Sequence, residues 1–151
     1  MKYSALLIGF LLCFAGCKKT DNNALFYDSS SIIINAGFYC GWGAGADSLF
    51  ISRSEIKYLY YVPAESMLPK IIRSRSVPDT EWINIVNSID LKDFIKLKYN
   101  SCNVCVDGCD EWISVQTDQI SHQIRFAKGL RIDTIYKLQN KIEQLRSEFG
   151  R

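Results

Sequence analysis

Three cysteines crowd one short stretch, Cys102-Asn-Val-Cys105-Val-Asp-Gly-Cys109. A fourth, Cys40, lies far upstream in the glycine-rich run Cys40-Gly41-Trp42-Gly43-Ala44-Gly45. If these thiols are oxidised, any fold must bring that run beside that loop. Four cysteines allow three pairings. A bridge across Cys102 and Cys105 closes a very tight ring, so the spacing predicts Cys40–Cys105 with Cys102–Cys109. The long-range bridge is worth about 3–5 kcal/mol through restriction of the unfolded chain. Zinc is the alternative for four thiolates, since Cys-x-x-Cys is a common half-site, but the other half would be one distant Cys40. A redox pair at Cys102-x-x-Cys105 normally opens a helix after a strand. Here Asp107 and Gly108 predict a loop instead.

Oxidation of thiols requires a chain that leaves the cytosol, and the amino terminus carries such a signal. Lys2 precedes an uncharged, mostly apolar run from Ala5 to Ala15, and small residues follow, the pattern of a secretory signal. A bilayer span needs about 20 apolar residues, so this run is too short to anchor by itself. The string Leu12-Cys13-Phe14-Ala15-Gly16-Cys17 resembles the bacterial lipoprotein box, two small residues before an obligatory cysteine. Phe14 departs from the smaller aliphatic usual there. The resemblance implies a signal peptide over 1–16, diacylglycerol on the Cys17 thiol and cleavage before it, with acylation of the new amine. It also implies membrane lipid as a partner and the cell envelope as the location. Lys18 after the cysteine, rather than Asp, favours the outer membrane by the sorting rules of that family. Two or three acyl chains hold a protein durably where one does not. Lys18 and Lys19 add on the order of 1 kcal/mol each toward anionic lipid. Of six cysteines, Cys13 leaves with the signal and Cys17 is lipidated, so four remain, an even number suited to two disulfides.

Residues 17–31 then read as the lipidated cysteine and a polar tether, and 32–151 as a single domain, long enough to bury one core. Strands are expected from Ile32 toward Tyr39, over Ser48–Ser52, over Glu55–Val62 and, more weakly, over Lys70–Ser76. Ser76-Val77-Pro78-Asp79 reads as a helix start with a hydroxyl cap. Trp82, Ile85, Val86 and Ile89 follow at helical spacing. Asp90 is placed to cap a second short helix through Leu97. Glu111–Thr117 and Ser121–Lys128 alternate as a hairpin. Ile135, Leu138, Ile142, Leu145 and Phe149 form one apolar stripe of a final helix. This order implies an α+β domain: an antiparallel sheet of five or six strands with two main helices on one face and the other face partly open.

Chemistry is harder to find. A net charge of +2 provides no basic face for nucleic acid. One histidine, His122, sits in an alternating strand and reads as a sheet residue. The Gly41/Gly43/Gly45 run joins two strands and lacks a following Lys-Ser/Thr, so it reads as turn chemistry rather than a phosphate cradle. Asp107, Asp110 and Glu111, with Asp47, read as a solvated acidic loop rather than a calcium site. No cofactor is implied, and without a catalytic signature an enzyme is the third choice. Trp42, Tyr58, Tyr60 and Trp112 are the candidate binding residues, if the open face presents them to a peptide, glycan or partner protein. Cys40-Gly41-Trp42-Gly43 and Cys105-Val106-Asp107-Gly108-Cys109-Asp110-Glu111-Trp112 also resemble segments of small bacterial envelope lipoproteins. That resemblance implies no activity and no catalytic residues. The expectation is an envelope binding or interaction module, with a structural component of an envelope complex as the alternative.

Overall fold

The computed structural model describes residues 28–150. The lipoprotein box, Cys17 and most of the expected tether lie outside these residues. The last part of that tether does not read as a free linker. Ser29–Ser31 form a 3-10 turn capped by Asp28, whose Oδ1 accepts the Ser30 N–H at 2.8 Å.

Six strands follow in one antiparallel sheet: β1 (Ile33–Cys40), β2 (Ala46–Ile51), β3 (Glu55–Tyr61), β4 (Ile71–Ser76), β5 (Cys109–Gln116) and β6 (Ser121–Ala127). Their order is β4-β3-β2-β1-β5-β6. Three consecutive meander strands therefore flank β1 on one side and the late hairpin pairs on its other side. Helices α1 (Asp79–Val86), α2 (Leu91–Phe94) and α3 (Tyr136–Glu148) complete the α+β domain.

Alternation decides which face is covered. Ile34 and Ala36 of β1 lie opposite Ile51 and Leu49 of β2, which lie opposite Ile56 and Tyr58 of β3. All six are buried, as are Ile113, Val115, Ile124 and Phe126 of the hairpin. Period-two side chains of one parity share a face. Trp82 and Ile85 of α1 join this cluster, with Leu91 and Phe94 of α2. The expected stripe Ile135, Leu138, Ile142, Leu145 and Phe149 closes over it. One face is thus the core, and among the described residues no helix covers the other.

Two local expectations shift. Ser76 does not cap α1; it ends β4, opposite Glu55, and Pro78 holds the cap position without a side-chain bond. Proline presets the φ of the helix entry and lacks an N–H to satisfy. Asp79 and Glu81 in the first turn then supply the negative charge that a helix N-terminus favours. Asp90 does cap α2, accepting the Asp93 N–H at 3.1 Å, but that helix ends at Phe94 rather than Leu97.

The disulfides also correct the expected pairing. They are Cys40–Cys109 and Cys102–Cys105. The β1–β5 register sets Cys40 directly opposite Cys109, so the bridge joins two adjacent strand ends. Cys102 is the N-cap of a 3-10 turn over Asn103–Val106 that contains Cys105, and residues three apart eclipse in that geometry. The tight ring argued against from spacing is closed by this turn. By chain entropy the bridge of separation 69 is worth about 4 kcal/mol and that of separation 3 about 2 kcal/mol.

Candidate binding face

The strand register lays out the uncovered face in rows. One row runs Ile72, Leu59, Ser48, Gly37, Trp112, Arg125 across all six strands. The next row toward the disulfides holds Tyr61, Ala46, Tyr39 and Asp110. The row on the other side is Ser74, Lys57, Phe50, Asn35, Ser114 and Gln123, mostly polar. Aromatic and apolar side chains therefore concentrate at the stapled end of the face. The chain's entry at Asp28 lies at the opposite end of β1.

Trp112 is the centre of this end. Its indole reaches across to β1 and covers Gly37, where a Cβ would come within 2.8 Å of the Trp112 Cζ2. The Asp47 carbonyl would meet the same Cβ even more closely. A glycine inside a strand weakens it unless something approaches the backbone, and here the approaching group is the indole. Beside it, Tyr39, Val104, Asp110, Gln123 and Arg125 complete a depression of about 310 Å³.

The rim is built by Asp110. This carboxylate is 2% exposed, and its Oδ1 accepts from Ser101 Oγ at 2.6 Å and Asn103 Nδ2 at 2.7 Å. Its Oδ2 accepts the Val104 N–H at 3.3 Å. Burial works to raise the Asp110 pKa, but the donors from Ser101, Asn103 and Val104 outweigh it and hold the group down to about 2. Asp110 is thus a buried anchor for the 101–108 loop, not part of a solvated acidic cluster. The loop docks further on the Gly-rich turn: the Gly41 N–H donates to the Gly108 carbonyl at 2.8 Å. A Cβ on Gly41 would lie 2.9 Å from Asp107 Cα, which explains a glycine at that close approach.

Asp47 and Glu111 also leave the solvated category. Both belong to the helix-covered face, where Arg146 of α3 spans them. Its Nε lies 3.0 Å from Asp47 Oδ2, an ion contact rather than an aligned hydrogen bond, and Nη2 donates to Oδ1 at 3.2 Å. Nη1 donates to Glu111 Oε1 at 3.0 Å, and Asp47 Oδ1 also accepts the Phe38 N–H at 2.9 Å. Burial pushes the Asp47 carboxyl up, and Arg146 and the Phe38 N–H work against it. Two carboxylates bridged by one guanidinium tie β2 and β5 to α3; they are engaged in holding the fold.

The four candidate binding residues separate. Trp112 lines the depression. Tyr58 is 0% exposed and stacks on Phe149 at 5.5 Å between ring centres, so it belongs to the core and is not a contact residue. Tyr60 shares its parity and lies half-buried on the helix-covered side. Trp42 is 83% exposed on the β1–β2 turn with φ 54°, outside the depression. Tyr39, Gln123 and Arg125 were not singled out from sequence. The signal for them was the parity opposite Ile124 and Phe126 in the hairpin, and opposite Ile34 and Ala36 in β1. His122 is a packing residue: Nε2 donates to the Leu97 carbonyl at 2.9 Å and the ring meets Phe94 edge-on. No protein-family model matches the chain, and no curated protein matches it at a significant level.

Proposed function

We propose that this chain is a lipid-anchored envelope lipoprotein whose domain is a binding module, with the stapled end of the uncovered face as its ligand surface. The observation that supports it most is Trp112 seated over Gly37 beside a polar-rimmed depression. An aromatic side chain with one end apolar and one polar is the kind of group that dominates recognition surfaces. Gln123 and Arg125 supply donors beside it. The Cys17 box supports the anchor, and the two bridges suit an oxidising compartment.

The alternative, a structural part of an envelope complex, draws on a different feature. The β6 edge is covered, since Arg125 exchanges backbone bonds with Tyr99 and Ser101. Among the described residues no strand pairs with the outer edge of β4, where Ile72 is 71% exposed. A free edge recruits another strand.

A photo-crosslinker placed at Tyr39 in envelopes, with one at Ile83 on the outer side of α1 as control, tests the first reading. The expected result is a discrete adduct from position 39 that Trp112→Ala abolishes. Equal yields from both positions, or an adduct indifferent to Trp112→Ala, would reject it. Adducts only from a probe at Ile72 would favour the alternative. Separately, Cys17→Ser should release the protein from membranes; unchanged fractionation with no lipid mass on Cys17 would reject the anchor.

A further inference from the structure

We propose that the two disulfides divide labour: Cys40–Cys109 is the structural staple, and Cys102–Cys105 is a chemically active pair that exchanges with the dithiol of a partner polypeptide at the tip of the domain. Neither sulfur of that pair lines the depression on the sheet face.

Burial makes the first distinction. Cys40 is buried and Cys109 half-buried, opposite each other on neighbouring central strands. Cys102 and Cys105 are both exposed, on a loop. Thiol–disulfide exchange needs a thiolate to reach a sulfur, so access selects the second pair. Sequence separation makes the second distinction. A bridge between residues 69 apart restricts the unfolded chain far more than one between residues 3 apart. The short bridge therefore contributes less to stability than the long one.

The third observation is that the loop does not depend on its bridge. Ser101, Asn103 and Val104 are tied to Asp110, the Gly41 N–H to Gly108, and the Gly108 N–H to the Asn103 carbonyl at 2.8 Å. These bonds persist when the sulfurs separate. The two thiols stay near each other, and the ring closes again readily. That is the requirement for a reversible pair rather than a one-time crosslink. Apolar contacts for a partner chain stand alongside: Val106 is 77% exposed on the same loop, and Trp42 projects from the turn docked against it.

The exchange balances without other reagents. A partner thiolate attacks one sulfur of the pair, a mixed disulfide forms, the Cys102–Cys105 bond breaks, and the displaced sulfur leaves as a thiolate that takes a proton from solvent. The partner's second thiol, deprotonated, attacks the mixed disulfide and releases a dithiol domain and an oxidised partner. Two electrons and two protons pass from the partner to the pair.

The test uses the purified native protein in a series of glutathione redox buffers, quenched with acid, alkylated and mapped by peptide mass. Cys102 and Cys105 are expected to become alkylated together while Cys40–Cys109 stays closed and the circular dichroism spectrum is unchanged. Oxidised protein should also oxidise a synthetic Cys-Gly-Gly-Cys dithiol peptide at least about tenfold faster than oxidised glutathione does at equal concentration. The double variant Cys102→Ser/Cys105→Ser should stay folded and lose that rate. Joint reduction of both bridges would overturn the proposal, as would a rate no better than glutathione. Unfolding of the double variant would show that the short bridge is structural, which also overturns it.

Discussion

Replacing Arg146 by methionine probes the buried ion network that fastens α3 to the sheet. The side chains involved are 12% exposed for Arg146, 1% for Asp47 and 13% for Glu111. Removing the cation leaves two carboxylates behind in a site that water barely reaches. Breaking one side of such a buried pair costs about 3–5 kcal/mol. For a domain of this size that lowers Tm by roughly 10–20 °C. The effect depends on pH with a definite sign. Burial already pushes the Asp47 carboxyl above its ordinary value, and Arg146 works against that shift. Without Arg146 the folded-state pKa of Asp47 rises further above the unfolded value. The stability linked to that proton is fully present below about pH 4, the unfolded value, and is lost as pH rises through the folded one. Urea melts followed by tryptophan fluorescence should therefore show the largest gap between Arg146→Met and wild type at pH 7, narrowing toward pH 4–5. A loss under about 1 kcal/mol that does not change with pH would place the network with ordinary surface pairs and refute the reasoning.

Three further outcomes follow from the same geometry. Asp110→Asn removes a group held down to about 2, so at pH 7 it should cost about 2 kcal/mol. The wild type should lose that increment as pH falls from about 4 through about 2, and the variant should not, as read by acid titration of the circular dichroism signal. Gly37→Ala forces a methyl group against the Asp47 carbonyl and the Trp112 ring, an overpacking cost of about 1–3 kcal/mol; fluorescence should report a more exposed Trp112, and an unchanged emission maximum would count against the seat. Alanine at both Cys40 and Cys109 should lower stability by about 4 kcal/mol, against about 2 kcal/mol for Cys102 with Cys105, measured by denaturant melts.

The parts of the fold that could be read along the chain were those governed by neighbours within a few residues. The alternation in Ile56 and Tyr58 and in Ile124 and Phe126, the cap at Asp90 and the stripe ending at Phe149 are local patterns, and each forms the expected element. Tyr58 shows the limit of that reading. Alternation puts Tyr58 and Tyr60 on one face of β3, but it does not say whether that face meets helices or solvent, and the helices took it. Ser76 marks the same limit, because a hydroxyl before a proline looks like a cap until β4 claims it for the ladder. The oxidised-pair count was available from the four cysteines alone, whereas the pairing was not.

The sequence by itself determined an α+β chain with one antiparallel sheet, because hydrophobic period and turn residues act over short distances. Tertiary structure alone decided that β1 pairs with β5, a choice between segments about seventy residues apart that rests on the loop-closure and packing terms of the whole chain. From that one pairing come Cys40 opposite Cys109, Cys102 left to Cys105, and Trp112 placed over Gly37.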